Sequence, residues 1–257
     1  MIGLTGRDVY TPPPLDLSRR KLHGAVTREL AIQIIEADRR SEIIAFPNEG
    51  ELAAKLGVSR TVVREAMKVL VDKGMVEMRP RAGTRSRLRS EWKLLDPEIL
   101  AWQAELRPDS QFLLQLCEVR LAIEPTASGF AAVRATQDQL DEIARRLMTR
   151  EALPKDAPLE KIVDLDWSFF HAVVAASQNP LLINLDAIIR VPFRTTLLYT
   201  FRSATTIALA LKAQQDLFRA LHKHDPVAAS KAAERAVGVA MLEVQEKLDA
   251  ENKPRSR

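Results

Sequence analysis

A short segment of the chain places guanidinium, ammonium and hydroxyl groups at a helical spacing. Arg60, Arg64 and Lys68 recur every four residues, so a helix would present all three on one face. Ser59 and Thr61 add hydroxyl groups at the start of the same segment. A guanidinium can bind phosphates or form a bidentate pair with guanine O6 and N7, and a threonine can touch a thymine methyl group. The spacing therefore predicts a surface that binds duplex DNA.

Five arginines surround a Gly-Thr turn shortly after this segment. They are Arg79, Arg81, Arg85, Arg87 and Arg89. Gly83 lets the backbone approach a duplex closely, and we expect Arg81, Thr84 or Arg85 to hold phosphates or to enter the minor groove. This second basic cluster predicts the wing of a DNA-binding domain.

The alternative for each of these residues is a solvated charge on an ordinary amphipathic helix. Arg60 and Arg64, taken alone, fit either interpretation. A capped turn, a basic outer face and the Gly-Thr turn occur together here, and the combination favours DNA binding. The charge distribution agrees, because residues 18–93 hold 17 Lys and Arg against 10 Asp and Glu, while the whole chain carries a net charge of only +4.

The elements that must position these groups form a winged helix-turn-helix. They are predicted helices over 22–37, 49–56 and 60–73, and a hairpin that pairs 75–78 with 84–88. Asn48 and Ser59 are residue types that cap the start of a helix. Gly57 between them tolerates the left-handed conformation that ends one.

The remainder of the chain is predicted to be helical, so the fold class is mainly α, with a winged helix-turn-helix and its small β wing followed by an all-α bundle. The predicted helices cover 110–133, 137–150, 159–177, 181–202, 206–223 and 226–250. Three consecutive prolines exclude a helix near the N-terminus. The predicted organisation is a flexible arm (1–17), a DNA-binding domain (18–90), a linker (91–103), an effector-binding and dimerisation domain (104–250) and a polar tail (251–257).

The composition excludes several classes of protein. The single Cys117 excludes an intramolecular disulfide and a multi-cysteine zinc site, and it suits a reducing compartment, so we expect a cytoplasmic protein. No apolar run is long enough to span a membrane, and no secretory signal is recognised. The sequence has no HExxH motif, phosphate-cradling glycine loop or Ser-His-Asp grouping, so we expect no enzyme. Cys117 is expected in a helix core rather than as a nucleophile.

The segment LAAKLGVSRTVVREAMKVLVDKGMVEMRPRAGTR resembles the signature of the GntR family of bacterial transcription regulators. The match includes GVSR over 57–60, VREA over 63–66 and the Gly-Thr of the wing. Many members of that family carry a DNA-contacting Arg at the position of Gly50. The resemblance therefore implies that this contact is lost here.

Residues 104–250 resemble the helical ligand-binding domain of the FadR subfamily, and in particular the regulators of sugar-acid operons such as the galactonate operon. Many members hold a divalent metal there through an Asp, a His four residues later and two further His. This chain keeps Asp166 but has Phe170, Gln214 and Ala236 at the three His positions. The resemblance thus implies no bound metal or other cofactor, with His171, one residue out of place, as the alternative ligand.

The residues that remain in this domain predict a site for a small hydroxy acid. The candidates are Arg120, Asp166, Phe170, Arg194 and Gln214. An arginine pairs well with a carboxylate, whereas an acid or amide side chain binds hydroxyl groups. Two alternatives stay open: Arg120 and Glu124 could form an ordinary surface pair four residues apart, and Arg194 could be solvated.

The resemblance implies a homodimeric regulator, a repressor in the simplest case, that binds double-stranded operator DNA and is released by a small carboxylate effector such as a sugar acid. One alternative is a sensor of fatty acyl-CoA, whose pocket would also lack the metal ligands. The other alternative is a DNA-binding protein without small-molecule control. A long apolar tunnel would distinguish the acyl-CoA sensor from a protein with a compact polar site.

Overall fold

A computed structural model describes residues 17–252 except 80–82, 107 and 202. The contacts divide the chain into two compact units, and the boundary between Leu94 and Leu95 falls within the predicted linker. The predicted arm, apart from Leu17, and the predicted tail beyond Asn252 lie outside the described residues, as does Arg81.

The N-terminal unit contains the three predicted helices, the predicted hairpin and one further strand. In chain order these are α1 (Leu17–Arg39), β1 (Ala45–Phe46), α2 (Glu49–Leu56), α3 (Arg60–Asp72), β2 (Val76–Arg79) and β3 (Gly83–Ser86), followed by a 3-10 turn over Arg89–Glu91. The helix α1 begins five residues before the predicted start at residue 22. The sequence missed this first turn because its polar residues do not contribute to the apolar period.

Apolar side chains of α1 and α3 form the core of the N-terminal unit. Leu30, Ile34 and Ile35 of α1 and Val63 and Leu70 of α3 are each at most 1% exposed. Burying a side chain of this size contributes about 1.5–3 kcal/mol. The buried face of α3 therefore fixes which of its residues point outwards.

The wing is a three-stranded antiparallel sheet in the order β1-β3-β2. Its register pairs Val76 with Ser86, Glu77 with Arg85, Met78 with Thr84 and Arg79 with Gly83, and on the other side Ala45 with Arg85 and Phe46 with Thr84. Ser86 also holds the approach to β1, because its N–H donates to the Ile44 carbonyl at 2.8 Å and its Oγ accepts from the Ile44 N–H at 2.9 Å. A two-residue strand has no alternation to detect, so the sequence did not predict β1.

The segment that follows the wing is attached to the end of α3. The Lys93 N–H donates to the Lys73 carbonyl at 2.9 Å. Trp92 is 5% exposed, and its Nε1 donates to the Arg87 carbonyl at 3.0 Å. These contacts form an anchor that we call the Trp92 clamp.

All regular secondary structure in the described residues of the C-terminal unit is helical. Its helices are α4 (Pro97–Glu105), α5 (Ser110–Arg134), α6 (Gln137–Glu151), α7 (Leu159–Ala176), α8 (Pro180–Thr200), α9 (Ala204–His222) and α10 (Pro226–Asn252). The boundaries of the last six lie within two residues of the predicted ones. The helix α4 occupies part of the predicted linker, and it starts at Pro97 because Asp96 accepts hydrogen bonds from its first turn.

Small side chains allow α5 and α10 to approach closely. Ala131 of α5 and Ala229 and Ala233 of α10 are all fully buried. At the same contact the Ser230 hydroxyl donates to the Pro125 carbonyl at 2.8 Å. Phe169 of α7 and Phe193 of α8 extend this core to the other helices.

Among the described glycines of the N-terminal unit, Gly74 is the least tolerant of a side chain. Its φ is +75°, and a Cβ there would lie 2.4 Å from the Glu91 carbonyl oxygen. We expect Gly74→Ala to lower the free energy of unfolding by about 1–3 kcal/mol, because both the left-handed backbone and the collision oppose it. Urea denaturation measures this change. Gly24→Ala on α1 is the control, because nothing lies within 4 Å of the added Cβ; an equal loss in both variants would contradict the prediction.

Candidate nucleic-acid interface and buried polar cluster

The helix α3 presents the predicted DNA-binding side chains to solvent. Its inner face, Val62, Val63, Ala66, Met67 and Leu70, is buried. Arg60, Thr61, Arg64 and Lys68 lie on the opposite face and are exposed. The geometry is that of a recognition helix whose outer row can enter a major groove.

The turn between α2 and α3 is defined by caps on both sides. Asn48 Oδ1 accepts from the backbone N–H groups of Gly50 and Glu51 at 3.0 Å. Gly57 ends α2 with φ at 67°. Ser59 Oγ then accepts from a first-turn N–H of α3 at 3.3 Å. Ser59 thus serves as the helix cap at the end of α3 that faces the predicted DNA.

Acidic neighbours pair with two of the three cations on this outer row. Arg64 Nε donates to Glu49 Oε2 at 3.2 Å, and Lys68 Nζ donates to Glu65 Oε1 at 2.8 Å. All four side chains are substantially exposed, and exposed pairs of this kind contribute little to stability. Phosphates of a duplex can therefore replace these acids at small cost.

The wing holds two of its arginines on one acid. Glu77 accepts from Arg79 Nε at 3.0 Å and from Arg85 Nε across the strand pair. The hydrogen bond from Arg85 is the main cause of a lowered pKa for Glu77. Gly83 has φ at +85° and is exposed, whereas Thr84 is half-buried. Glu77 was not predicted, since an isolated acid among arginines has no distinctive spacing.

Three of the predicted effector residues come together inside the C-terminal unit. Arg120, Asp166 and Gln214 are each 1% exposed. Arg120 lies with its Cζ 4.3 Å from the centre of the Phe193 ring, and Phe170 packs on the same ring with a centroid separation of 5.5 Å. Phe170 thus lies against the same aromatic ring as Arg120, and its role as the apolar wall of an effector site stays a prediction.

Two buried ion pairs organise this cluster. Arg120 Nε donates to Glu124 Oε1 at 2.6 Å, and Arg150 Nε donates to Asp166 Oδ1 at 2.6 Å. The first pair has the predicted spacing of four residues, but it is buried and not on the surface. Burial raises the pKa of Asp166 above its usual value, while the Arg150 charge and the neighbouring Gln214 amide oppose that rise.

Four polar atoms of the cluster are buried and have no hydrogen-bond partner among the residues that the structure describes. They are Arg120 Nη1, Arg150 Nη2, Asp166 Oδ2 and Gln214 Oε1. Each such atom costs about 1–3 kcal/mol. Two guanidinium donors and two acceptors are thus available within one interior region, which is the donor and acceptor set that a hydroxy acid would satisfy. We call these four residues with Glu124 the buried polar cluster.

Arg150 and Glu124 are the residues of this cluster that the effector prediction missed. Arg150 falls in the last turn of α6, where a basic residue is usual because of the helix dipole. Nothing in its sequence context distinguishes it from a surface arginine. Its partner Asp166 lies 16 residues away, on another helix.

The structure places Arg194 apart from the buried polar cluster. Arg194 Nε donates to Asp164 Oδ1 at 3.0 Å, and its side chain is 42% exposed. It lines an open groove of about 540 Å³ with Arg190, Tyr199 and residues of α4. This position agrees with the alternative of a solvated Arg194 better than with a site that Arg194 shares with Arg120 and Asp166.

The side chains around Asp166 do not fit a divalent metal. Phe170 and Gln214 stand where the resemblance puts histidines, and the Arg150 guanidinium already holds the Asp166 carboxylate. His171 is exposed, and its ring stacks on that of Trp167 with 5.9 Å between the ring centroids. Within the described ranges, no group of three or more His, Cys, Asp and Glu residues could hold a metal ion.

Comparison with known proteins assigns both units. Residues 24–85 match the model of the bacterial regulatory proteins of the gntR family, and residues 115–238 match the FCD domain. An uncharacterized HTH-type transcriptional regulator of Escherichia coli K12, YieP, is 30% identical over 84% of this chain and 92% of its own length. The galactonate operon transcriptional repressor of the same organism is 29% identical over 73% of this chain and 82% of its own.

A solved structure shares the fold. The Lar protein of Listeria monocytogenes aligns with a TM-score of 0.60 over 90% of this chain and 98% of its own, at 16% identity. The winged helix-turn-helix of the N-terminal unit and the helical C-terminal unit define a DNA-binding transcription regulator. The chain belongs to the GntR family and carries an FCD domain C-terminal to its DNA-binding domain.

These comparisons confirm the predicted family, the mainly helical fold class and the interpretation as a regulator, because the relatives are transcription regulators and not enzymes. No helix in the described part of the chain combines the length and the apolar character needed to cross a membrane.

Replacing Arg64 should weaken DNA binding and change its specificity. We expect Arg64→Ala to cost about 1–3 kcal/mol of operator affinity and to relax the preference at one base position, because a bidentate pair with a base is lost. Fluorescence anisotropy on duplexes substituted at each base measures both effects. Unchanged affinity together with unchanged preference would show that α3 is not the recognition helix.

Cys117 should be inert to thiol reagents in the folded protein. Burial raises the pKa of its thiol to about 11, although the nearby Arg120 charge opposes the rise. At pH 8 only about one molecule in a thousand would carry the reactive thiolate. We expect no labelling by 5,5′-dithiobis(2-nitrobenzoic acid) until guanidinium chloride unfolds the chain. Rapid stoichiometric labelling of the native protein would contradict the burial of this side chain.

Proposed function

We propose that this regulator represses a catabolic operon and is released from its operator by a small carboxylate that carries hydroxyl groups, such as a sugar acid. The observation that supports the proposal is the buried polar cluster with its four unpartnered atoms. An effector carboxylate would accept from Arg120 Nη1 and Arg150 Nη2. Its hydroxyl groups would donate to Asp166 Oδ2 and Gln214 Oε1, and Phe170 would contact its carbon chain.

The names of two relatives agree with this class of ligand. One is a galactonate operon repressor, and another, 32% identical over 54% of this chain, is a putative L-lactate dehydrogenase operon regulatory protein of Escherichia coli K12. Both names concern small hydroxy acids or the enzymes that use them. They support the chemical class and leave the individual compound to experiment.

The buried polar cluster argues against the acyl-CoA alternative. A long acyl chain would require an apolar tunnel, whereas the charged groups of Arg120, Glu124, Arg150 and Asp166 occupy the interior here. Burying four charges without a polar ligand would be costly. The same cost argues against a DNA binder that has no effector, because packed apolar residues would stabilise such a domain better.

We also propose that the protein acts as a homodimer that contacts two operator half-sites related by a twofold axis. The effector releases DNA only if it binds more tightly to the dimer arrangement that does not fit the operator. Effector binding in the C-terminal unit and operator binding in the N-terminal unit are then coupled in free energy.

A panel of sugar acids, including D-galactonate and D-gluconate, tests the proposed effector class by thermal shift and by operator release. We expect a member of the panel, at about 100 times its dissociation constant, to raise the melting temperature by roughly 5–10 °C. Gln214→Leu should clearly reduce that shift, because it removes one acceptor, worth about 0.5–1.5 kcal/mol, while keeping a similar volume. The same compound should release wild-type protein from its operator in a mobility-shift titration.

Arg194→Ala is the matched control, because Arg194 lies in the exposed groove and not in the buried polar cluster. Its response to the panel should equal that of the wild type. The proposal fails if no compound in the panel shifts the melting temperature. It also fails if the shift is unchanged in Gln214→Leu but reduced in Arg194→Ala.

A further inference from the structure

The second residue of α2 has no side chain, and the Arg60 guanidinium occupies the space beside it. A Cβ built on Gly50 would lie 3.1 Å from Arg60 Nη2 and 3.2 Å from both Cζ and Nε. Three atoms of one planar group at nearly equal distances show that a face of the guanidinium lies over Gly50. These separations are shorter than nine in ten of the contacts that a real Cβ makes.

The backbone under this guanidinium is fixed. Asn48 Oδ1 accepts from the N–H groups of both Gly50 and Glu51 at 3.0 Å. The preceding residue, Glu49, accepts from Arg64 Nε at 3.2 Å. Arg60 and Arg64 lie one turn apart on α3, and both therefore rest on the first turn of α2.

The two arginines differ in how they are held. Arg64 is paired with an acid, whereas no acidic side chain among the described residues forms an ion pair with Arg60. Arg60 is exposed and lies at the first position of α3, where recognition-helix side chains reach base edges. Its guanidinium is thus located by the shape of the α2 surface and keeps its donors available for DNA.

We infer that Gly50 is a specificity-determining position of the DNA interface, and that it acts through Arg60. The missing side chain lets the Arg60 guanidinium lie against α2. The family resemblance implies that a cationic contact is lost at Gly50, and Arg60 places a guanidinium beside that residue. A methyl group at residue 50 would displace the guanidinium by a few tenths of an ångström. Bidentate recognition of guanine depends on the orientation of the guanidinium plane, so we infer that this displacement changes recognition.

Gly50→Ala in the full-length chain tests this inference. The duplex is the one that the wild-type protein selects from a random double-stranded library. We expect Gly50→Ala to bind this duplex about tenfold more weakly and to lose preference at one base position per half-site, in line with the worth of one bidentate base contact. The melting temperature should not fall, because alanine is favoured over glycine inside a helix.

Gly24→Ala is the matched control, since it makes the same change on another helix of the same unit, where nothing lies within 4 Å of the added methyl group. Its affinity and base preference should equal those of the wild type. An unfolding measurement on both variants separates an effect on stability from an effect on recognition.

The double variant Gly50→Ala with Arg60→Ala tests the route of the effect. If Gly50 acts through Arg60, the double variant should bind as Arg60→Ala alone does, with the same base preference. Two results would overturn the inference. One is wild-type affinity and preference in Gly50→Ala, and the other is a further loss of affinity when Gly50→Ala is added to Arg60→Ala.

Discussion

The cost of burying charge governs the C-terminal unit. Arg120 with Glu124 and Arg150 with Asp166 lie at 5% exposure or less, where removing either member of a pair would leave an uncompensated ion. Apolar residues of similar size would be at least as stable, so the pairs are best understood through the donors and acceptors they leave unused. The surrounding helices hold those atoms at fixed positions, and a ligand that matched them would recover part of the desolvation cost.

The predicted DNA interface of the N-terminal unit uses the opposite strategy, because the basic side chains of its ion pairs are largely exposed. Glu49, Glu65 and Glu77 each accept from a basic side chain of the predicted interface. Such pairs are screened and weak, yet they hold long side chains in defined positions before any partner arrives. When a duplex binds, its phosphates replace these carboxylates as partners of the basic side chains. The affinity for DNA should therefore depend steeply on salt concentration.

The sequence predicted most of the secondary structure, since the helices are long and their caps, Asn48 and Ser59, are of clear type. It failed where the signal was short or came from distant residues. The strand β1 has two residues, which is too few for a pattern. Arg150 and Asp166 come into contact only in the folded chain. Arg194 has the guanidinium that the prediction required, but it pairs with Asp164 in an exposed groove and not with the buried polar cluster. The contact of Arg60 with Gly50 was equally inaccessible, because a missing side chain gives no signal about what fills its place.

The Trp92 clamp has a mechanical consequence. The hydrogen bond from the Lys93 N–H to the Lys73 carbonyl and the burial of Trp92 attach the segment that leaves the N-terminal unit to the C-terminal end of α3. A linker that began in a flexible loop would extend under force and would not transmit the force to a helix. Here a force transmitted through the chain beyond Leu94 would be applied at the C-terminal end of α3.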